Sequence, residues 1–155
     1  MDRYAATSEL ACSVTAEANT FPLGLITAAG RVAQIYELLV GNKLAANDGR
    51  QVAELIRTST TLTPGTAITP EPLALGLGAA VSTVSSAPTA GTVVAQPLLR
   101  LVFNGRATVR WAAVDPDARI IVPAGGGAAG SVLVANRQHT TTASLVLANQ
   151  LFWAE

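Results

Sequence analysis

The chain has 155 residues and a formal net charge of +0, and only 13% of its residues are charged although half are hydrophobic. This length fits one domain that folds without disulfides or metals, and the balanced charge excludes the basic footprint of a nucleic-acid-binding protein. Because soluble domains usually carry about 25% charged residues, we expect a partner or further copies of the chain to cover much of the surface.

The N-terminal segment, residues 1–21, is rich in small side chains and lacks a clear hydrophobic period. It predicts an extended arm, loosely attached to a domain that spans residues 22–155, with Pro22 and Gly24 marking the boundary. Charged residues interrupt any apolar run near the N-terminus, so no signal peptide is predicted. Cys12 is the single cysteine, which excludes an intramolecular disulfide and a cysteine-based zinc site.

Two strands are predicted next. Arg31–Val40 fits both helical and strand spacing, but Gly41 ends the run after about ten residues, which favours a strand. A turn at Asn47-Asp48-Gly49 leads to a second predicted strand, Val52–Thr58.

The middle of the chain excludes a helix. Thr58–Pro72 carries three prolines and many β-branched residues, and its Pro64-Gly65 pair predicts a type II turn, in which Gly accepts a positive φ. Leu73–Gly91 is rich in Gly, Ala and Ser and predicts a long surface loop or a segment that contacts a partner.

A β-hairpin is the strongest local prediction. Leu98–Phe103 and Arg106–Trp111 are separated only by Asn104-Gly105, a pair typical of the type I′ turn. Asp115-Pro116-Asp117 then predicts a further turn.

Short strands are predicted for the remainder of the chain, bounded by turn signals. These signals recur about every 8–12 residues, which is typical of an all-β sandwich or barrel. The predicted strands are Ile120–Val122, Ser131–Ala135, Ser144–Ala148 and Leu151–Trp153.

Three features invite a catalytic or ligand-binding interpretation, and each has a simpler one. Gly125–Gly130 matches the dinucleotide-binding glycine pattern, but the strand-like sequence after it favours a flexible loop. His139, the only histidine, lies in a polar stretch typical of a loop. Asp115 and Asp117 flank a proline turn as solvated acids, with a weak cation site completed by a neighbouring copy as the alternative. We therefore predict no enzyme, no cofactor and no metal site.

Interface residues are the remaining candidates. Arg100, Arg106 and Arg110 cluster on the predicted hairpin, where they form either a solvated strand face or an interface to carboxylates of an adjacent subunit. Trp111 and Trp153 are predicted to be core residues or anchors between subunits.

Three stretches carry a resemblance to a known family. They are QIYELLVG (Gln34–Gly41), TSTTLTPGTAITPEP (Thr58–Pro72) and NGRATVRWAAVDPDARIIV (Asn104–Val122). Their order resembles that of the small head decoration, or cement, proteins of tailed bacteriophages, and the resemblance covers Arg31 to about Glu155. It is a recurrent order of phrases and not a catalytic signature.

The resemblance implies a jelly-roll-like β-sandwich that forms homotrimers on the outer capsid surface, at local three-fold axes. The implied partners are further copies of the chain and the major capsid protein, with no nucleic acid and no membrane. The implied location is the exterior of the phage head, after assembly in the host cytoplasm. The alternative is another phage structural module, such as a tail, head-fibre or host-binding adhesin domain. A small hydrolase is a third hypothesis, disfavoured by the scarcity of His, Cys and paired acids.

Overall fold

A computed structural model describes residues 1–13, 18–43, 48–60, 62–89, 96–125, 131–139 and 145–155. Within these ranges the chain forms β-strands and one short 3₁₀ helix, Pro116–Ala118. The strands are β1 (Arg3–Ala11), β2 (Thr20–Ile26), β3 (Ala33–Asn42), β4 (Arg50–Arg57), β5 (Thr66–Ile68), β6 (Glu71–Pro72), β7 (Thr83–Ser86), β8 (Leu99–Asn104), β9 (Val109–Ala112), β10 (Ile120–Val122), β11 (Ser131–Gln138) and β12 (Val146–Ala154).

The strands form two antiparallel sheets. Sheet A has the order β10-β3-β12-β1-β6, with β9 also paired to β3, and sheet B has the order β5-β7-β2-β11-β4-β8. Alternate residues of each strand point between the sheets, where they form one apolar core. The prediction of an all-β sandwich is confirmed. Among the described residues, no helix has the length and apolar character needed to cross a membrane.

The first strand corrects the prediction of a loose N-terminal arm. All nine residues of β1 pair with β12, from Arg3 opposite Ala154 to Ala11 opposite Val146. Tyr4 is buried, and its ring stacks on Trp153 with centroids 5.9 Å apart. The other buried residues of this strand include the small Ala6 and Ser8, so β1 has few of the large apolar residues that usually identify a core strand.

The proposed boundary at Pro22 and Gly24 is also wrong, because both residues lie inside β2. The register between β2 and β11 shifts between Val134 and Asn136, so Pro22 lies at an irregularity of the ladder. A bulge tolerates proline because no N–H is required there.

The predicted hairpin is wrong as well. Strand β8 pairs with β4 in sheet B, whereas β9 pairs with β3 in sheet A, so the chain changes sheets at Asn104–Ala107. Asn104 stabilises this turn by accepting two hydrogen bonds. Its backbone carbonyl accepts from the N–H of Ala107 at 2.8 Å, and its Oδ1 accepts from the backbone N–H of Arg106 at 2.9 Å. Asn104 and Gly105 are not among the residues with positive φ, which a type I′ turn requires.

The fold requires glycine at position 65, but not for the type II turn that the sequence predicted. Its φ is not positive, but a Cβ at this position would lie 2.0 Å from the carbonyl oxygen of Ser86. Glycine is therefore required by the close approach of two backbone segments.

Most remaining strand predictions are confirmed, with shifted ends. Strands β3, β4, β10 and β11 lie where the sequence predicted them, but the two short strands predicted near the C-terminus are one continuous strand, β12. The predicted loop Leu73–Gly91 contains strand β7, and Asp115–Asp117 forms a turn. Asn47 and most of the Gly125–Gly130 loop lie outside the described residues.

Candidate interaction surfaces

The three arginines predicted to form one cluster are separated by the sandwich. Arg100 points outward from sheet B, Arg106 lies in the turn between the sheets, and Arg110 points outward from sheet A. Each pairs with a carboxylate of its own chain: Arg100 with Glu54, Arg106 with Asp48 at 2.6 Å, and Arg110 with Glu37 at 2.6 Å. The prediction of a common arginine surface is therefore wrong.

The two tryptophans differ in their surroundings. Trp153 is fully buried between the sheets, which corrects its candidacy as an interface residue and places it in the core. Trp111 is half-buried, lies opposite Leu38 on the edge strand β9, and packs against the core.

A cleft on the outside of sheet B collects a different set of arginines. We call it the arginine cleft: Arg50, Arg100 and Arg137 surround Val52 and Val102, enclosing about 210 Å³. It forms because β8, β4 and β11 are neighbours in the sheet, and alternate residues of each strand point outward.

A buried carboxylate lies beneath this cleft. Glu54 is 3% exposed and accepts hydrogen bonds from Arg100 Nε and, at 2.7 Å, from Arg137 Nη2. A buried charge is tolerated only with such partners, because unpaired burial costs several kcal/mol. The guanidinium groups of Arg100 and Arg137 bond to this one carboxylate, and Arg50 lines the cleft beside them.

The Asp-Pro-Asp turn forms a projection, which we call the acidic knob (Val114–Ala118). Asp115 caps the 3₁₀ turn, its Oδ1 accepting from the N–H of Ala118 at 2.8 Å, and Pro116 restricts the first turn. Every residue of the knob is exposed, including Val114 at 93%. In the described ranges, no three His, Cys, Asp or Glu side chains lie close enough together to hold a metal ion.

A second projection contains no ionisable side chain. We call it the uncharged lobe (residues 73–82), and it is tied to sheet A at three places. The N–H of Leu73 donates to Arg3 O at 2.9 Å, the hydroxyl of Tyr4 donates to Gly78 O at 3.2 Å, and the N–H of Val81 donates to Glu155 Oε1 at 2.6 Å.

The lobe presents large apolar side chains to solvent. Leu75 is fully exposed, and Leu73 and Val81 are about half exposed. Met1, Leu73, Ala74 and Leu77 line a hollow of about 320 Å³ together with the charged residues Asp2 and Arg3. Contiguous exposed apolar surface marks interaction sites, whereas single exposed apolar residues are ordinary.

The single cysteine and the single histidine of the sequence, Cys12 and His139, have different surroundings. Cys12 is buried, and burial raises the pKa of its thiol to about 11. A reactive thiol requires the opposite shift, because the thiolate is the nucleophile. His139 is exposed at the end of β11, where its N–H donates to Arg50 O at 3.1 Å.

Comparison of the chain with protein-family models, with curated proteins and with solved structures found no match. The chain's own surfaces and motifs therefore carry the functional inference.

The arginine cleft is the feature that sequence reasoning missed. Glu54 and Arg137 are 83 positions apart, and Glu54 and Arg100 are 46 apart. The one available signal was a carboxylate inside an otherwise apolar strand, since buried acids require cationic partners.

Proposed function

We propose that this chain is a non-catalytic virion structural protein that binds the outer surface of a tailed-phage capsid and stabilises the shell. It acts as a homotrimer at local three-fold axes, with the major capsid protein as its partner and a jelly-roll connection of its strands. The observation that carries the proposal is the uncharged lobe, which exposes the apolar side chains of Leu73, Leu75 and Val81 to solvent. The resemblance of Gln34–Gly41, Thr58–Pro72 and Asn104–Val122 to head decoration proteins supplies the class of partner.

The attachment of the lobe suits it to binding a flat surface. Three hydrogen-bonded contacts hold its backbone, so little further conformational entropy is lost when Leu73, Leu75 and Val81 meet a partner. Full burial of one such side chain contributes about 1.5–3 kcal/mol. The lobe itself has no charged side chain, although Asp2 and Arg3 line the hollow beside it.

Stabilisation of the shell then follows from linkage. A protein that binds the assembled shell, and not the dissociated subunits, shifts the equilibrium towards the shell by mass action. Three lobes on one trimer act together, so their joint affinity exceeds that of a single lobe without any new contact.

Co-sedimentation with undecorated shells tests the proposal. The shells are assembled from the major capsid protein encoded in the same genome, and the amount of bound chain is measured against concentration. We expect Leu75→Asp to raise the dissociation constant at least tenfold, because a charge then replaces an apolar contact; tenfold corresponds to about 1.4 kcal/mol. Val32→Asp is the matched control, since Val32 is an exposed apolar residue outside the lobe, and its binding should be unchanged.

Three different results of this experiment would contradict the proposal or one part of it. A wild-type chain that never sediments with shells contradicts the proposal. Binding to host-cell glycans without any binding to shells favours the tail or adhesin alternative instead. Equal loss in both variants contradicts the role of the lobe.

A further inference from the structure

We infer that strand β8 is an assembly edge, at which a second copy of the chain adds its own β8 and continues sheet B. The edge of a sheet presents unpaired N–H and C=O groups, and a strand from another chain can complete them. A two-fold contact of this kind cannot build a trimer. The inference therefore goes beyond the proposed function, because the contact joins copies that belong to neighbouring assemblies.

Strand β8 lies at the end of sheet B, with β4 as its neighbour on one side. In a local hairpin, β9 would cover its other side. The chain instead leaves for sheet A at Asn104–Ala107, and β9 pairs with β3. No other strand of the described residues lies on that side of β8. The change of sheet therefore leaves an uncovered edge along the six residues Leu99–Asn104.

The hydrogen-bond pattern shows which groups of β8 face this edge. The N–H of Gly105 donates to Gly49 O at 2.9 Å, and in an antiparallel pair the hydrogen-bonded positions alternate with open ones. Alternate residues counted back from Gly105 therefore bond to β4, and Arg100 and Val102 between them direct their backbone groups to the free edge. In the part of the chain that the structure describes, these backbone groups have no hydrogen-bond partner.

The other sheet edges are shorter or more polar. Strand β5 has three residues and lies between Pro64 and Pro70, and the two-residue strand β6 ends in Pro72, which has no N–H to donate. Strands β9 and β10 have four and three residues. Beyond its pairing with β6, strand β1 presents the exposed polar side chains of Thr7 and Glu9. Among the described strands, β8 is therefore the edge best suited to pairing.

Apolar side chains accompany the free backbone groups of β8. Val102 is 57% exposed, and Leu98, directly before the strand, is 37% exposed. Leu99 and Leu101 pack against the core but are only partly buried. A second strand along this edge would therefore cover apolar surface in addition to completing hydrogen bonds.

The sequence of β8 allows it to pair with itself in one register. Antiparallel pairing centred on Leu101 places Arg100 opposite Val102 of the second copy, and about four backbone hydrogen bonds then form. Pairing centred on Val102 would instead use the C=O of Asn104, which already accepts from the N–H of Ala107 at 2.8 Å. The register centred on Leu101 is therefore favoured.

This register also avoids electrostatic repulsion within the strand pair. Arg100 is the only charged residue of β8; it faces a valine of the second copy and is bonded to Glu54 of its own chain. Beyond the end of the strand, Arg106 is paired with Asp48 at 2.6 Å. Like charges directly opposite each other would destabilise a pair of strands, and β8 paired in this way contains none.

Sedimentation of the purified chain over a range of concentrations tests the contact. Val102→Lys places a second cation opposite Arg100 of the other copy. Val102→Pro removes the outward N–H, and an edge strand tolerates proline at a position that donates no bond to its neighbour. The largest species of each variant should have half the mass of the largest wild-type species, whether the unit that pairs is a monomer or a trimer. Val114→Lys is the matched control, since Val114 is an exposed valine outside the strands, and it should keep the wild-type mass.

Hydrogen exchange of single amides locates the contact. The amides of Arg100 and Val102 should exchange about tenfold more slowly in concentrated than in dilute solution, because pairing closes the edge. The amides of Thr7 and Glu9 are the internal control. They point away from β12 along the free part of β1, and their exchange should not depend on concentration. This measurement needs no substitution, so it tests the inference even if Val102→Pro fails to fold.

Three results would overturn the inference. They are a wild-type chain that never exceeds the mass of one monomer or one trimer, a Val102→Lys chain that keeps the wild-type mass, and exchange of the Arg100 and Val102 amides that is equal at every concentration. Shell binding reports separately on the proposed function. If β8 pairs but no chain binds shells, the contact stands and the capsid function fails; trimers that bind shells and never pair through β8 give the reverse.

Discussion

Replacement of Gly65 by alanine tests how the outer strands of sheet B are held together. A Cβ at residue 65 would lie 2.0 Å from Ser86 O and 2.5 Å from Ala87 O. Both contacts are to backbone, so no side chain can rotate away to make room. Strand β5 would have to move off β7, where Thr66 pairs with Ser86.

We expect Gly65→Ala to lower the free energy of unfolding by about 3 kcal/mol. Overpacking typically costs about 1–3 kcal/mol, and each lost hydrogen bond between β5 and β7 costs roughly 1 kcal/mol more. For a domain of this size, about 3 kcal/mol corresponds to a fall in Tm of roughly 6–12 °C. Gly78 is the matched control, since it has no positive φ and a Cβ there would meet no atom within 4 Å. Gly78→Ala should be neutral or stabilise by about 0.5 kcal/mol.

Urea unfolding at one protein concentration, followed by tryptophan fluorescence, measures both variants. The fully buried Trp153 reports on opening of the core. A Gly65→Ala chain within about 0.5 kcal/mol of the wild type refutes the close-approach argument. An equal loss in Gly78→Ala refutes it also, because the cost would then not depend on the neighbouring backbone.

Other consequences concern β1, Glu54 and Cys12. A chain lacking residues 2–11 should show no cooperative unfolding transition, because β12 loses one of its two partner strands along nine residues; a folded truncated chain by circular dichroism would contradict this. Glu54→Gln should lower the free energy of unfolding in urea by about 2 kcal/mol, which is less than the loss expected for a fully buried ion pair because Arg100 is half exposed. The control Glu71→Gln should leave the free energy of unfolding unchanged. At pH 8, Cys12 should react with a thiol reagent at least about 100-fold more slowly in the native chain than in urea, since its pKa is raised from 9.0 to about 11; equal rates would contradict its burial. Because that pKa is raised by folding, its contribution to stability is present below pH 9 and is lost as pH rises towards 11.

The strands that sequence predicted well are those with long apolar or β-branched runs bounded by turn residues. Strand β3 ends close to Gly41, and β11 contains the continuous apolar run Val132–Ala135, since strands buried on both faces lose the alternating pattern. Strand β1 was missed because Ala6 and Ser8 are small inward-facing residues and resemble an unstructured segment.

Strand pairing was harder to predict than strand position. The Asn104-Gly105 pair favours a local hairpin, but Leu101 and Phe103 pack from the side of sheet B while Val109 and Trp111 pack from the side of sheet A. Burial of these side chains outweighs the local turn preference.

The acidic knob and the arginine cleft also differ in how far each could be predicted from the sequence. The acidic knob was predictable as a turn because Asp115, Pro116 and Asp117 are adjacent and each favours a turn for a local reason. The arginine cleft was not, since β4, β8 and β11 come from distant parts of the chain and only their register aligns Arg50, Arg100 and Arg137.

Calorimetry of shells with and without the bound chain tests the central claim most directly. If the chain is a capsid-stabilising protein, saturated shells should carry copies in multiples of three and melt at a higher temperature, and the rise should grow with the concentration of free chain. Shells that melt at the same temperature at every chain concentration would contradict it.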